Sequence, residues 1–249
     1  MRTFATLALL SVTGLGCRDK AAPPPPSTAA PLASSAPAAE ELTVRHKSVS
    51  NRHYLLLSQR SPSMELRLKR PNRFDPKLLL CVPGTYTSPE GQVEGAVIES
   101  GKIVRDQAMP WEGLLSVRRG TPTVSWQKQR LGKEALQRFA QGGGSLLQGH
   151  LLVGEGKPRP LKPSPLLERR ALFIGASGSF AVVESEGPVE LGVFAQDLVA
   201  LGARAAMNLD MGRWSEGFYR VRKGSEPVTL GKDFRSTAKQ TNWLVLVAQ

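Results

Sequence analysis

A ten-residue segment late in the chain carries the densest set of side chains that could do chemistry. Asn208 and Asp210 close an apolar run, and Ser215 and Glu216 follow the glycine-containing turn 211–214. A strand that ends in Asp before such a turn places a carboxylate at the rim of a sheet, where backbone N–H groups can face an anion. The segment therefore predicts a sugar or phosphate site beside Asp210 and Asn208. The alternative is an Asp that only caps the turn.

Other generic catalytic motifs are missing from the sequence. The histidines His46, His53 and His150 form no zinc-binding pattern and are interpreted as surface or structural residues. No phosphate-binding loop occurs, and the glycines of 175–178 lack the spacing of a nucleophile elbow. Cys81 ends an apolar run and is predicted to be a small buried hydrophobe. The sequence therefore predicts neither a metal site nor a cofactor site.

Composition narrows the class of protein further. The chain has 249 residues, and 33 Lys and Arg against 21 Asp and Glu give a net charge of +12. A hydrophobic fraction of 41% excludes a wholly disordered chain, and two cysteines exclude a disulfide-dense scaffold. The basic residues are scattered and not interleaved with aromatics, so a nucleic-acid groove is not expected. Attraction to anionic envelope polymers or lipid headgroups fits this charge better.

The first seventeen residues are predicted to be a lipoprotein signal peptide. Arg2 precedes the apolar run 4–12, which is too short for a transmembrane helix of about 20 residues. The run leads to 13–17, which resembles a bacterial lipoprotein cleavage box ending at Cys17, the predicted lipidation site. The alternative is a plain secretory signal cleaved nearby.

Residues 18–41 are predicted to form a disordered tether. The segment 21–40 consists almost entirely of Pro, Ala and Ser, which cannot bury a core. Twenty residues in polyproline II geometry would reach about 60 Å from a membrane. We therefore expect a lipid-anchored protein of the cell envelope, on the outer membrane and facing the periplasm if the cell is Gram-negative.

Residues 42–249 are predicted to form one globular α+β domain with strand-rich mixed sheets and few helices. Short apolar or alternating runs separated by turn residues predict the strands. Helices are predicted at 133–141 and at 189–201, where apolar residues recur at three- and four-residue spacing. The predicted strands are 54–57, 64–68, 78–82, 93–98, 114–117, 122–126, 172–174, 180–184, 205–209 and 243–248.

Four blocks in this order resemble the phosphodiester glycosidase family, whose members cleave N-acetylglucosamine from a phosphodiester. The block 205–210, which follows the second helix, is similar to the family's Ala-Leu-Asn-Leu-Asp motif. Upstream of it stand Arg170 with Gly175, the turn 81–86 and the segment 95–102, each similar to a family block. The resemblance spans most of the predicted domain.

The resemblance implies an enzyme that hydrolyses a glycosidic or sugar-phosphodiester linkage in an envelope glycan. In that role Arg170 would hold the phosphate by a bidentate contact. Asp210 would act as general acid/base or nucleophile, and Asn208 would orient the sugar. Glu216 is added from spacing alone, since glycoside hydrolysis commonly needs two carboxylates. If the domain is an enzyme, these carboxylates and the arginine should converge in one pocket. The predicted substrate-binding residues are Asn208, Gly212, Ser215, Trp214, Gly84 and Tyr86.

The turn after Asp210 departs from the family pattern. The family's Gly-Gly-Gly-Ser is replaced by 211–215, in which only Gly212 and Ser215 correspond. The added bulk would narrow a pocket that glycines leave open. The alternative function is therefore a catalytically inactive domain that binds an acidic glycan or an envelope partner protein. Trp214 and Tyr219 would then be stacking platforms, unless they simply pack against the sheet.

Overall fold

The computed structural model describes residues 41–211, 215–231 and 239–249. Within these ranges the chain forms seventeen β-strands and two α-helices in one compact domain, and every strand pairing is antiparallel. The predicted strand-rich α+β class is confirmed. None of the helices in these ranges is long and apolar enough to cross a membrane. Cys17, Gly212 and Trp214 lie outside the described residues.

The strands and helices follow one another in an order that keeps most hairpin partners adjacent. The elements are β1 Thr43–Val49, β2 Arg52–Ser58, β3 Met64–Arg67, β4 Leu78–Pro83, β5 Val97–Glu99, β6 Lys102–Arg105, β7 Gly113–Arg118, β8 Thr121–Trp126, α1 Lys133–Gln141, β9 Ser145–Gly149, β10 Leu151–Gly154, β11 Lys157–Pro158, β12 Arg170–Gly175, β13 Phe180–Ser185, α2 Leu191–Ala200, β14 Ala203–Leu209, β15 Gly217–Tyr219, β16 Val228–Leu230 and β17 Trp243–Val247.

The strands form three sheets. The seven-stranded sheet has the order β1-β2-β13-β12-β14-β10-β11. The β4 sheet has the order β16-β15-β4-β17-β3, and the β9 sheet has the order β6-β5-β9-β7-β8. One large apolar core is shared by all three sheets, with Met207 from the first, Leu80 from the second and Leu147 from the third all almost completely buried. Burial of this shared core therefore fixes how the sheets meet.

Each helix covers the outer face of one sheet. α1 buries Leu136 against the β9 sheet, and α2 packs Phe194 and Leu198 against the seven-stranded sheet. α2 begins at the cap residue Glu190, whose carboxylate accepts hydrogen bonds from the N–H groups of Gly192 and Val193 at 2.7 and 3.0 Å. These bonds satisfy two donors at the helix start that would otherwise lack an intrahelical partner.

The three sheets meet where β4, β9 and β14 end. The Asp210 N–H donates to the carbonyl of Gly84 at 2.8 Å, which joins the end of β14 to the end of β4. His150 is the residue at which the chain leaves the β9 sheet and enters β10 of the seven-stranded sheet. Its carbonyl accepts a hydrogen bond from the Asn208 N–H at 2.9 Å. This junction brings Asn208, Asp210 and His150 together.

Candidate functional site

The side chain of Asn208 is half satisfied at the sheet junction. Its Nδ2 donates to the Tyr86 hydroxyl at 2.7 Å and to the Leu209 carbonyl at 3.0 Å. Its Oδ1 is buried and has no hydrogen-bond partner, in a residue only 6% exposed. A buried carbonyl without a donor costs about 1–3 kcal/mol, and native proteins leave few of them. The Asn208 Oδ1 therefore offers an acceptor to a hydroxyl or amide of a bound molecule.

Three half-buried aromatic rings stand beside this acceptor. The ring of Tyr86 meets those of Trp111 and His150 edge to face, with centroids 5.3 and 5.7 Å apart. The centroids of Trp111 and His150 are 5.1 Å apart. Aromatic rings with polar tips suit ligands that combine an apolar face with hydroxyl groups, as a sugar ring does.

The local electrostatics keep this cluster uncharged. Burial, and then the negative charge of Asp210, raise the pKa of Tyr86 to about 12, so its hydroxyl stays protonated. The Tyr86 oxygen accepts from Asn208, which leaves the phenolic proton available for donation. Burial lowers the pKa of His150, which favours the neutral imidazole. The cluster can therefore offer neutral donors and acceptors beside one carboxylate.

Asp210 is the buried acid of the junction. Only 5% of the residue is exposed, and its charge is felt by the Tyr86 phenol. Its position after the last residue of β14 is the one predicted from the sequence, at the rim of a sheet. The structure thus brings Asp210, Asn208 and Tyr86 into one site, with Gly84 behind the Asp210 backbone.

Gly84 is required for close packing. A Cβ there would lie 2.3 Å from the Asn242 Oδ1 and 2.8 Å from a methyl of Leu147. The same Oδ1 accepts a hydrogen bond from the Thr85 N–H at 2.7 Å. Gly84 therefore lets the turn after β4 approach Asn242, and that turn carries Tyr86 into the site.

Arg170 is held by protein groups. Its Nε and Nη2 donate to the Glu184 Oε2 at 2.9 and 2.6 Å, and its Nη1 donates to the Ser215 carbonyl at 2.9 Å. Arg170 is fully buried, and Glu184 is its direct cross-strand neighbour on β13. The guanidinium thus fastens the buried Ser215 segment to β12 and β13.

The neighbouring Arg169 is the arginine whose charge acts on Tyr86. It lowers the pKa of the Tyr86 phenol, although burial and Asp210 outweigh it. Arg169 is half-buried, and its Nη2 donates to the Pro165 carbonyl at 2.7 Å and to the Ser164 hydroxyl at 3.0 Å. Desolvation lowers its own pKa. Alternation along the strand places the side chains of 169 and 170 on opposite faces of the sheet.

Glu216 occupies a different electrostatic environment. Its carboxylate pairs with the guanidinium of Arg70 and lies 3.8 Å from the Nη1 of Arg73. Only 3% of the residue is exposed. The structure places this carboxylate over the outer face of the β4 sheet, in a cluster of arginines. Tyr219 of the same strand region is half-buried in β15.

Sequence reasoning missed Trp111, His150 and Arg169 as parts of this site. One signal was present for His150, which interrupts an otherwise apolar run at 145–154. Gln148 was also missed, although its amide fixes the loop that carries Trp111. The Gln148 Nε2 donates to the carbonyls of Met109 and Trp111, both at 2.8 Å. No group of three or more His, Cys, Asp and Glu side chains suited to a metal occurs among the described residues.

Comparison with solved structures shows that this fold occurs in other proteins. It is similar to the catalytic domain of zebrafish N-acetylglucosamine-1-phosphodiester alpha-N-acetylglucosaminidase, auto-inhibited by its pro-peptide. The TM-score is 0.58 at 15% identity, covering 87% of this chain and 85% of that one. The fold expected from the family resemblance is therefore confirmed as a fold relationship.

Two further structures share the fold. A hypothetical protein from Synechocystis has a TM-score of 0.57 at 12% identity, over 84% of this chain and 62% of that one. A Burkholderia pseudomallei protein named as exported has a TM-score of 0.52 at 12% identity, over 79% and 74%. No protein-family model and no curated protein sequence matches the chain significantly.

Proposed function

We propose that the domain is a glycosidase-like hydrolase that acts on a glycosidic or sugar-phosphodiester linkage of an envelope glycan. The observation that carries the proposal is the buried, unpartnered Oδ1 of Asn208, which stands beside Asp210 and the Tyr86 ring. The shared fold with a phosphodiester glycosidase catalytic domain supports the reaction class by analogy.

Each residue of the junction has a role in this proposal. Asn208 accepts a hydrogen bond from a sugar hydroxyl, while Tyr86 donates one from its protonated phenol. Trp111 and His150 contact the apolar face of the sugar ring. Asp210 acts as general acid/base or as nucleophile at the scissile bond. An anionic substituent of the substrate lies towards Arg169, because Arg170 is already engaged by Glu184.

A second candidate function rests on the positions of the other two predicted catalytic residues. Glycoside hydrolysis commonly uses two carboxylates on either side of the scissile bond. The carboxylate of Glu216 is paired with Arg70 and Arg73, and Arg170 is held by Glu184. These ion pairs favour a domain that binds an acidic glycan, or an envelope partner, without cleaving it.

We further propose that the protein acts in the cell envelope, anchored through a lipid on Cys17. The lipoprotein-like box, the Pro/Ala/Ser tether and the fold shared with a protein named as exported support this location. A glycan substrate in the envelope would lie within reach of a domain on such a tether.

The decisive experiment is hydrolysis by the full chain carrying Cys17→Ser, which keeps it unlipidated. The substrates are p-nitrophenyl sugar phosphodiesters and purified envelope glycans. Turnover that is lost in Asp210→Asn and kept in the control Asp106→Asn would support the hydrolase, because Asp106 is an exposed carboxylate outside the junction. Glycan binding without turnover, lost in Asn208→Leu, would support the second candidate. Neither turnover nor binding would reject both.

A further inference from the structure

Arg220 is a buried cation with too few partners. The residue is 3% exposed and follows β15 directly. Its Nη2 donates to the Arg73 carbonyl at 2.7 Å. Its Nε and Nη1 are buried and have no hydrogen-bond partner. Among the described residues, Arg220 has no carboxylate within ion-pair distance. A guanidinium is rarely buried in this state, because desolvating a charge is costly unless it is paired and hydrogen-bonded.

The surroundings of Arg220 add positive charge. The guanidinium groups of Arg220 and Arg73 both lie over the ring of Phe218, at 5.5 and 5.9 Å from its centroid. Arg70 lies in the same cluster, over the ring of Trp243 at 5.7 Å. Glu216 is the carboxylate of the cluster and is already bound by Arg70 and Arg73. Three arginines thus share one described carboxylate, and the excess charge is greatest where Arg220 lies.

We infer that Arg220 and Arg73 form a binding site for an oxyanion, a phosphate group above all, on the outer face of the β4 sheet. Nε and one Nη of a guanidinium form the fork that binds two oxygens of a phosphate or carboxylate. The two unpartnered donors of Arg220 supply that fork. The Phe218 ring holds both guanidinium groups in place, so that the site is formed before the anion binds.

The cluster reaches solvent at Arg73. Its side chain is 27% exposed, and its Nη2 donates to the hydroxyl of the exposed Thr229 at 2.7 Å. A small anion, or the phosphate at one end of a larger molecule, can therefore approach from this side. The site is separate from the Asn208 junction and does not depend on the hydrolase proposal.

The test is titration of inorganic phosphate into the full Cys17→Ser chain in phosphate-free buffer, followed by calorimetry and by the melting temperature. We expect saturable binding and a phosphate-dependent rise in melting temperature. Arg220→Gln should weaken binding about tenfold or more, because it removes hydrogen bonds to a charged group. The matched control is Arg222→Gln, which removes an exposed arginine two residues away and should leave binding unchanged.

A second measurement guards against a variant that fails to fold. The Nε–H resonance of Arg220 in the unmutated side-chain background should shift on adding phosphate. Arg220→Met should not lower the melting temperature without phosphate, because it removes an unpaired buried charge. Absence of binding, equal weakening by Arg222→Gln, or an unmoved Nε–H resonance would overturn the inference.

Two further arms identify the source of the phosphate. Glucose 1-phosphate that binds more tightly than inorganic phosphate would indicate a phosphorylated glycan, and the reverse order would indicate free phosphate. Asp210→Asn should leave phosphate binding intact. Loss of turnover in that variant with retained phosphate binding would show that the two sites are independent.

Discussion

Asn208 shows how one amide can serve both structure and ligand binding. Its Nδ2 is committed to Tyr86, whereas its Oδ1 remains buried and unpartnered. We expect Asn208→Leu to change the free energy of unfolding by less than about 1 kcal/mol, because it removes an unsatisfied acceptor together with one hydrogen bond. Affinity for the glycan should fall about tenfold or more. Urea denaturation and calorimetry test both; a large loss of stability with unchanged affinity would contradict a ligand-binding role.

His150 should make the stability of the domain sensitive to mild acid. Burial lowers the pKa of His150 in the folded chain below its ordinary value of 6.5. As the pH falls through 6.5, the unfolded chain therefore binds more protons than the folded one, and stability is lost. The loss ends once the pH falls below the folded pKa. We expect His150→Gln to reduce the drop in unfolding free energy between pH 7 and pH 5, measured by urea denaturation. An unchanged drop would assign the acid sensitivity elsewhere.

At the scale of elements, α2 is held to the seven-stranded sheet by a buried carboxylate. Asp197 accepts from Arg52 Nη2 at 2.8 Å and from the Tyr54 hydroxyl, and only 3% of the residue is exposed. This carboxylate and burial raise the pKa of Tyr54 above its ordinary range. Removing one member of a buried pair leaves an uncompensated charge.

We therefore expect Asp197→Ala to lower the free energy of unfolding by about 3–5 kcal/mol. The matched control is Glu65→Gln, which breaks the exposed pair with Arg67 and should cost less than about 1 kcal/mol. Urea denaturation of both variants measures the difference. Similar small losses in the two would show that α2 is held by its apolar face alone.

The sequence predicts elements well where the information is local. α1 has the predicted bounds, and α2, at Leu191–Ala200, lies within the predicted 189–201. Both follow from apolar spacing along one helix face. Strand β5 is shorter than the predicted 93–98, because only Val97–Glu99 finds a partner strand. The pair β9 and β10 was not predicted, since a continuous apolar run lacks the alternation that marks a half-buried strand.

Pairing between distant strands decides the site, and local patterns do not encode it. Asn208 and Asp210 were predicted because both stand in one short segment. Trp111 and His150 join them only because β9, β10 and β14 meet at the junction of three sheets. Arg170 was expected in the pocket, but its cross-strand register places Glu184 directly opposite it. No periodicity in the sequence reveals that register.

At the scale of the whole molecule, a net charge of +12 and a lipid would hold the protein to a membrane in different ways. Attraction between charges is screened by salt, and the Debye length is about 3 Å at 1 M. Insertion of acyl chains is hydrophobic and does not weaken in salt. A salt wash of membranes therefore separates the two contributions.

We expect the unmodified chain, expressed in a bacterium that processes lipoproteins, to remain in the membrane fraction after a 1 M salt wash and to dissolve in detergent. Cys17→Ser removes the thiol that would carry the lipid, so the same wash should release the variant. Immunoblotting of the pellet and supernatant measures the ratio. Release of both chains by salt would indicate that charge alone holds the protein, and that the segment before Cys17 is a plain secretory signal.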